Sequence, residues 1–256
     1  MAREPEANVL QSVAAALDLL DCFAEDEELG VIEVSKRLNV AKSTAHRLLT
    51  TLLSRGLVEQ NAANGKYRLG LHLYELGQLA VTRFDLRRGA RPLLEELREV
   101  TGWTVQLSVA AGVDTLVLER LQTLRSFKVK ADWNRRLPAS VTAQGKALCA
   151  FDNALAERRI AAGLPRITSK SITDPVKFRA ELKEIKQRGY ATATGESLDG
   201  VSSVGAPVID SRGHAVAALA ILGAPEDVVP ASARLGKLVQ AAARRLSKEV
   251  RPQFMH

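Results

Sequence analysis

The stretch VIEVSKRLNVAKSTAHRLLTTLLSRGLVEQ, residues 31–60, decides the fold of the first part of the chain. It predicts a short helix, a tight connection at residues 39–41 and a second helix over residues 42–54. Gly56 follows where a glycine commonly ends a helix. The apolar residues of the second helix have the i, i+3, i+4, i+7 spacing of one buried face. That face consists of Ala45, Leu48, Leu49, Leu52 and Leu53.

The segments on either side complete an order of elements that suits a small DNA-binding domain. After the second helix, residues 57–60 and 66–69 are strand-like, and Asn64-Gly65 between them is a dipeptide favoured in tight hairpin turns. Helix, helix, turn, helix and hairpin is the order of a winged helix-turn-helix domain. The first helix is predicted from an apolar stripe at helical spacing, made of Val9, Val13, Ala16, Leu17, Leu20 and Phe23.

Positive charge is concentrated in this first part of the chain. The net charge is +7, but a global excess alone indicates little about partners. Residues 1–35 carry one basic and nine acidic residues, whereas residues 36–68 carry seven basic residues and only Glu59 as an acid. Such a local excess is what a phosphate-contacting surface requires. An ordinary solvated charged face is the alternative interpretation.

The polar residues at the start of the second helix are candidates for DNA contact. In a helix-turn-helix unit the second helix lies in the major groove, and its first turns reach the base edges. Because Ala45 and Leu48 must face the core, five neighbours remain outside: Lys42, Ser43, Thr44, His46 and Arg47. Lys66 and Arg68 on the hairpin are predicted to contact the flanking phosphates. Together these residues favour double-stranded DNA as a partner.

The rest of the chain predicts an α+β domain with an antiparallel sheet. Residues 71–100 are helical, residues 103–121 alternate like two strands joined at Ala111-Gly112, and residues 125–130 add another strand. Helices follow at 143–151, 153–163 and 174–189, then two strands at 200–210 and 214–223, and a last helix near 230–250. The predicted domains are 1–70 (winged helix), 71–86 (linker helix) and 87–256 (second domain).

Few residues suit catalysis or metal binding, so no enzyme, metal site or cofactor is predicted. Ser202 lies near a Gly-x-Ser-x-Gly nucleophile elbow pattern, but Val204 occupies the second glycine position. AQGKA lacks the first glycine and the Ser or Thr of a phosphate loop. The four histidines are scattered, and the two cysteines lie in apolar helical contexts. No apolar run of about 20 residues and no signal peptide is found, so we expect a cytoplasmic protein without a membrane partner.

Several motifs resemble the IclR family of bacterial transcriptional regulators over nearly the whole chain. They are SVAAALDLLDCF, AKSTAHRLLTTLLSRGLVEQ, GKYRLG, TAQGKALCA, RGYATATGESLDGVSSVGAPVID and AVAALAILG. The resemblance implies an N-terminal winged helix-turn-helix that pairs with a second copy on a pseudo-palindromic operator. It also implies a C-terminal GAF-like, profilin-like domain that binds a small-molecule effector, in homodimers or in tetramers made of two dimers.

The resemblance also implies where the effector would bind. Small side chains at TAQGK and GVSSVG would leave room, with ordinary core packing as the alternative at each position. Acidic residues usual in the family are replaced here by Ala193, Thr194 and Gly195, and ALAIL stands where some members carry serines. We therefore expect a partly apolar acid, aromatic or alicyclic, with Trp103 and Trp133 in the core or at an interface. The implied residues are Ala143, Gln144, Ala193, Val201, Ser202, Ser203, Ala220 and Leu222.

Two other functions remain open at this stage. The winged helix could make only protein contacts in a sensor or an enzyme, but such contacts have no need for Lys42, Arg47, Lys66 and Arg68 on one face. A nonspecific architectural DNA binder would leave the long second domain without a purpose. The sequence does not distinguish a repressor from an activator or a dimer from a tetramer.

Overall fold

The structure is a computed structural model that describes residues 10–24, 26–82, 86–123 and 136–249, without the side chains of 78–82. It divides into two compact units, residues 1–83 and 84–256. The predicted strand at 125–130, Val9 and Trp133 lie outside the described residues. The predicted domain limits at 70 and 86 stay predictions.

The first unit has the order of elements expected of a winged helix-turn-helix. Its core is formed by buried residues from all three first helices and from the hairpin, among them Leu19, Val34, Leu49 and Val58. A bridge between Leu29 and Tyr67 adds a third extended segment to the hairpin. The elements are α1 (Gln11–Asp21), α2 (Val31–Leu38), α3 (Lys42–Ser54), β1 (Val58–Gln60), β2 (Tyr67–Leu69) and α4 (Leu71–Thr82).

One prediction about a buried face in this unit is wrong, and the packing of α1 adds a feature that the sequence did not show. Leu53 was predicted to be buried, but 37% of it is exposed. The residues of α3 that face the core are Ala45, Leu49 and Leu52. On α1 the predicted stripe included Val13 and Leu17, which are 52% and 58% exposed. The helix instead packs on α2 and α3 through Leu19, so its buried face is rotated from the predicted stripe.

The wing turn also differs from its prediction. A tight type I′ turn needs positive φ at both central residues, and here Gly65 has φ 71° while Asn64 does not. The hairpin is closed by a six-residue loop in which Asn61 N donates to Lys66 O and Gly65 N donates to Asn61 O, both at 2.8 Å. The amides of Asn61 and Asn64 donate to Glu28 at 2.8 and 2.7 Å and so lower the pKa of that carboxyl.

The second unit is one six-stranded sheet with helices on both faces, and the predicted antiparallel sheet with packed helices is confirmed. The strand order is β5-β4-β3-β8-β7-β6. Its helices are α5 (Leu86–Thr101), α6 (Ala143–Phe151), α7 (Asn153–Ala161), α8 (Pro175–Arg188), α9 (Pro225–Val228) and α10 (Ser232–Glu249). Its strands are β3 (Thr104–Ala111), β4 (Asp114–Leu121), β5 (Arg136–Pro138), β6 (Ala191–Thr194), β7 (Ser202–Ile209) and β8 (Ala215–Gly223).

The two faces of this sheet bury different kinds of residue. Because strand side chains alternate, Leu107, Val204 and Leu219 face α5 and α10 in a continuous apolar core. Their neighbours on the opposite face meet α6 and α8, where Ala218 packs with Phe178. Polar side chains share this second face and are covered by α6 rather than by solvent. The covered polar side chains include Gln106, Ser108 and Ser203.

Local signals account for the ends of the well-predicted helices. Asp174 accepts a hydrogen bond from Val176 N at 2.8 Å, Pro175 starts α8, and Gly189 ends it with φ 81°. β5 was not predicted, because three residues ending in proline carry no alternation. Among the described helices, none is long and apolar enough to span a membrane.

Candidate functional site

The residues predicted to contact DNA share one exposed surface at the start of α3. Lys42, Ser43, Thr44, His46 and Arg47 are all exposed. No side chain caps the helix N-terminus at Ala41. Within the described part of the chain, Lys42 and Arg47 form no ion pair, so their charge is available to an anionic partner. We call these five residues the recognition surface.

The two wing cations differ from the recognition surface in having acidic partners. Lys66 Nζ lies 3.5 Å from Glu33 Oε1, and Arg68 Nη2 lies 3.2 Å from Glu59 Oε2. These pairs are exposed and therefore weak, so phosphates could replace the carboxylates. Glu33 lies outside residues 36–68, so the charge count over that segment did not include it. The fold nevertheless brings Glu33 next to Lys66 of the wing.

An open apolar groove lies between α1 and α3 in the same unit. Its volume is about 670 Å³, and both helices line it with aliphatic side chains. Val13 and Leu17 are exposed there, and Arg47 and Thr44 of the recognition surface also line it. Exposed apolar surface of this kind is typical of a surface that another molecule covers.

The structure brings only some of the implied effector residues together. Ala143 and Gln144 begin α6, and Ala193, Ser203, Ala220 and Leu222 lie on strands beneath it. Strand alternation turns Ser202 to the opposite face of the sheet from Ser203, and Val201 is buried just before β7.

A small cavity lies beneath the start of α6. Its volume is about 10 Å³, room for roughly one water molecule. Only Gln144, Ser203 and Leu222 of the implied effector residues line it, and Ala143, Ala193, Val201, Ser202 and Ala220 do not. The complete lining consists of Gln106, Val117, Arg120, Leu137, Thr142, Gln144, Ser197, Ser203 and Leu222. We call this space the effector cavity.

Sequence reasoning missed four polar residues of the effector cavity, and two of these, Gln106 and Arg120, lie on the sheet beneath α6. They are direct cross-strand neighbours on β3 and β4, and Gln106 is only 2% exposed. In the sequence their alternation with apolar residues is typical of a strand with one face in solvent. The available signal was an amide between valine and leucine in VQL, but only α6 shows that this face is covered.

The small residues around the effector cavity serve close packing rather than open space. A Cβ at Gly145 would lie 2.3 Å from Ala139 O, and a Cβ at Gly205 would lie 2.9 Å from Gln144 N. Real Cβ atoms do not approach so closely, so both glycines let the start of α6 touch its neighbours through backbone. The prediction that small side chains here leave room is therefore wrong for these two positions.

A buried cation holds the segment around the cavity. Lys146 of α6 is fully buried, and its Nζ donates to Glu181 Oε1 and Glu196 Oε1, each at 2.7 Å. Burial raises the pKa of Glu196, an effect opposed by Lys146 and increased by Glu181. The second oxygen of Glu196, Oε2, has no hydrogen-bond partner among the described residues. The triad thus ties α6, α8 and the segment after β6 together.

The same segment is also held through its backbone. Thr168 Oγ1 donates to Gly195 O at 2.6 Å, and Ser171 Oγ donates to Glu196 O at 2.8 Å. Ser197, which lines the effector cavity, follows directly. One wall of the cavity is therefore anchored to the residues that precede α8.

Groups that could serve covalent catalysis are not activated in the described part of the chain. The Ser202 hydroxyl is buried without a hydrogen-bond partner there, so no described base accepts its proton. Burial raises the pKa of the Cys149 thiol to about 12, which keeps it protonated. No group of three His, Cys, Asp or Glu residues is placed to hold a metal ion among the described residues.

Similarity to known proteins covers both units. Residues 78–248 match the family described as bacterial transcriptional regulator IclR C-terminal, and residues 12–62 match the IclR helix-turn-helix domain. The HTH-type transcriptional regulator XynR of Escherichia coli is 34% identical over 219 residues, 83% of this chain and 86% of that protein. BhcR of Paracoccus denitrificans, another HTH-type transcriptional regulator, is 32% identical over 249 residues, 95% and 88% of the two chains.

A solved structure with a bound small molecule has the same fold. It is an IclR homolog from Microbacterium hydrocarbonoxydans complexed with 4-hydroxybenzoate. The TM-score is 0.80 at 26% identity, and the match covers 93% of this chain and 98% of that one. The architecture is thus shared over both units.

Proposed function

The chain belongs to the IclR family of bacterial transcriptional regulators, and we propose which of its residues bind DNA and which class of effector controls it. It is a DNA-binding regulator with an effector-binding domain. DNA binding is consistent with the expected cytoplasmic location. The proposal includes no catalytic step.

The recognition surface is proposed to read the operator. Arg47 and Lys42 can donate to guanine O6 and N7, while Ser43, Thr44 and His46 contact bases or phosphates. Lys66 and Arg68 would meet the flanking backbone after exchanging their carboxylate partners for phosphates. The observation that carries this proposal is the exposed, unpaired charge at the start of α3.

The protein is proposed to bind its operator as a homodimer, or as a tetramer of two dimers. A helix-turn-helix dimer places two recognition helices one turn of DNA apart, which matches a pseudo-palindromic operator. The exposed Val13 and Leu17 on α1 provide apolar surface that a second copy could cover.

The effector is proposed to be a partly apolar carboxylic acid, aromatic or alicyclic. Apolar lining from Val117, Leu137 and Leu222 suits a hydrocarbon body, and Arg120 suits an acid group. The related structure that holds 4-hydroxybenzoate supports an aromatic acid. Because the cavity has room for only about one water molecule, such a ligand would bind a form in which the cavity is wider.

The proposed control is thermodynamic linkage. The effector stabilises the opened effector domain, and the helices over residues 71–100 transmit that preference to the spacing of the two recognition helices. The same contacts serve repression or activation, since the operator position relative to the promoter decides the outcome.

The test is fluorescence anisotropy of labelled DNA taken from directly upstream of the gene for this protein. A scrambled duplex of equal length is the control, and both are titrated at two salt concentrations. Tighter binding to the upstream DNA, weakened by salt, supports a site-specific regulator. Equal binding to both duplexes supports an architectural role or a distant operator, and genomic selection of bound fragments separates these two. Absence of binding to any selected DNA would contradict the proposal.

A further inference from the structure

Three polar side chains form a continuous contact beneath α6. The terminal amides of Gln106 and Gln144 lie 3.2 Å apart. The other end of the Gln106 amide lies 2.7 Å from Arg120 Nε and 3.0 Å from its Nη2. All three residues line the effector cavity, and Gln106 and Gln144 are both 2% exposed.

Hydrogen-bond chemistry fixes the orientation of both amides. A guanidinium group only donates, so the Gln106 atom that faces Arg120 must be its carbonyl oxygen. The NH2 group of Gln106 then points at Gln144, and the Gln144 atom that receives it must be a carbonyl oxygen. One cation therefore orients two amides in series.

The NH2 group of Gln144 is then left at the far end of this chain. That position is buried, and no group in the described part of the structure donates a hydrogen bond to it. A buried donor without a partner costs free energy, so it favours a ligand atom that accepts a hydrogen bond. Among the residues lining the cavity Arg120 carries a charge and no residue is acidic, which gives the described lining a charge of +1.

We propose that Arg120 and Gln106 set the ligand preference of the effector cavity by orienting Gln144 as a hydrogen-bond donor, so that a carboxylate is bound more tightly than its neutral carboxamide. The inference rests on the proposed function and assigns Gln106 and Arg120 as positioning residues. A carboxylate accepts from the Gln144 amide and is attracted by the positive charge of the lining. A carboxamide can also accept from Gln144, but it is uncharged and has only one acceptor oxygen, so it binds more weakly.

Gln106→Glu reverses the proposed orientation with a change of one atom. The introduced carboxylate would accept from Arg120 and from the Gln144 NH2 group, so Gln144 would turn its carbonyl oxygen toward the ligand. The same carboxylate would also neutralise the positive charge of the lining. The variant should therefore disfavour acids and favour carboxamides, a change of ligand preference that lost packing alone does not produce.

The experiment measures ligand affinities of the full chain by isothermal titration calorimetry. The probes are 4-hydroxybenzoate, benzoate and cyclohexanecarboxylate, each paired with its carboxamide. For wild type we expect at least one acid to bind roughly ten- to hundredfold more tightly than its amide, and Gln106→Glu to remove or invert that ratio. Gln187→Glu is the matched control, because it makes the same change at an exposed position of α8 and should keep the wild-type ratio.

A second variant keeps the test decisive if Gln106→Glu unfolds. Arg120→Gln removes the cation that orients the amides, so acid affinity should fall roughly ten- to hundredfold while thermal unfolding is monitored in parallel. Three outcomes would each overturn the inference. The folded variants could keep the wild-type ratio of acid to amide affinity, the wild-type protein could bind acids and amides equally, or the wild-type protein could bind none of the acids. Operator binding is measured on the same samples: if it persists in those cases the regulator function stands, and if it is absent the proposed function fails.

Discussion

The recognition surface and the buried triad of Lys146, Glu181 and Glu196 beside the effector cavity use positive charge under opposite conditions. Lys42 and Arg47 lie exposed on α3 without acidic partners among the described residues, whereas Lys146 is fully buried between Glu181 and Glu196. An exposed cation costs the fold little and is available for binding. A buried cation must be paired, because an unpaired charge in the interior is costly. Substitutions on α3 should therefore alter binding without altering stability, and substitutions beneath α6 should alter both.

The largest expected effect is on stability, from Lys146→Met. The substitution leaves Glu181 and Glu196 close together without their cation, and breaking a buried ion pair in this way typically costs about 3–5 kcal/mol. Urea unfolding followed by circular dichroism measures the loss. Lys183→Met, an exposed position on α8, is the control and should change the free energy of unfolding by less than about 0.5 kcal/mol. Equal unfolding midpoints for both variants would contradict the structural role of Lys146.

The next effect is on binding, from Lys42→Ala and Arg47→Ala. Each should weaken operator binding by about 1–3 kcal/mol if it contacts a base, with no change in the unfolding curve. Anisotropy titration with the operator measures the affinity, and Lys183→Ala serves as the charge-matched control. Operator affinity that is unchanged in the double variant would remove α3 as the DNA-reading element.

A smaller effect is expected at the wing, where the cations already have partners. Arg68→Ala should weaken operator binding less than Arg47→Ala, because phosphate contact at Arg68 first requires separation from Glu59. Glu59→Gln should strengthen binding slightly by freeing Arg68. Titration of all three variants at two salt concentrations gives the comparison. Weaker operator binding by a folded Glu59→Gln variant would contradict the inference that Glu59 competes with phosphate for Arg68.

The smallest effect is a change in pH dependence, from Glu196→Gln. Burial raises the pKa of Glu196 above 4.5 in the folded state, so the native protein loses stability as pH rises through that pKa. Glutamine does not titrate, and Lys146 keeps Glu181 as a partner. The free energy of unfolding of the variant, relative to wild type, should therefore rise with pH from 4.5 toward neutrality. Parallel unfolding curves at every pH would show that Glu196 titrates normally.

Predictions from the sequence were most accurate where the position of a side chain depends on a single helix or strand. The bounds of α3 and the exposure of Lys42 and Arg47 depend only on helical spacing, and they were predicted correctly. Spacing alone does not say how a helix is rotated against its neighbours, so Leu53 was assigned to the wrong side and the stripe on α1 did not show that Val13 and Leu17 are exposed.

The effector cavity was less predictable because several distant segments meet there. Gln106 and Arg120 become a unit only through the register of β3 with β4, and both become covered only through α6. The family resemblance led to Gln144, Ser203 and Leu222 but not to these two. A polar residue on a strand is ambiguous until the element that covers it is known.

Gly145 and Gly205 have a practical consequence for designing biosensors from this protein. Because main-chain contacts at these glycines hold the start of α6 against β7 and against Ala139, the frame of the effector cavity does not depend on the side chains proposed to select the ligand. A combinatorial library that varies Gln106, Arg120 and Leu222 while it keeps both glycines can therefore search for new inducers on a constant scaffold.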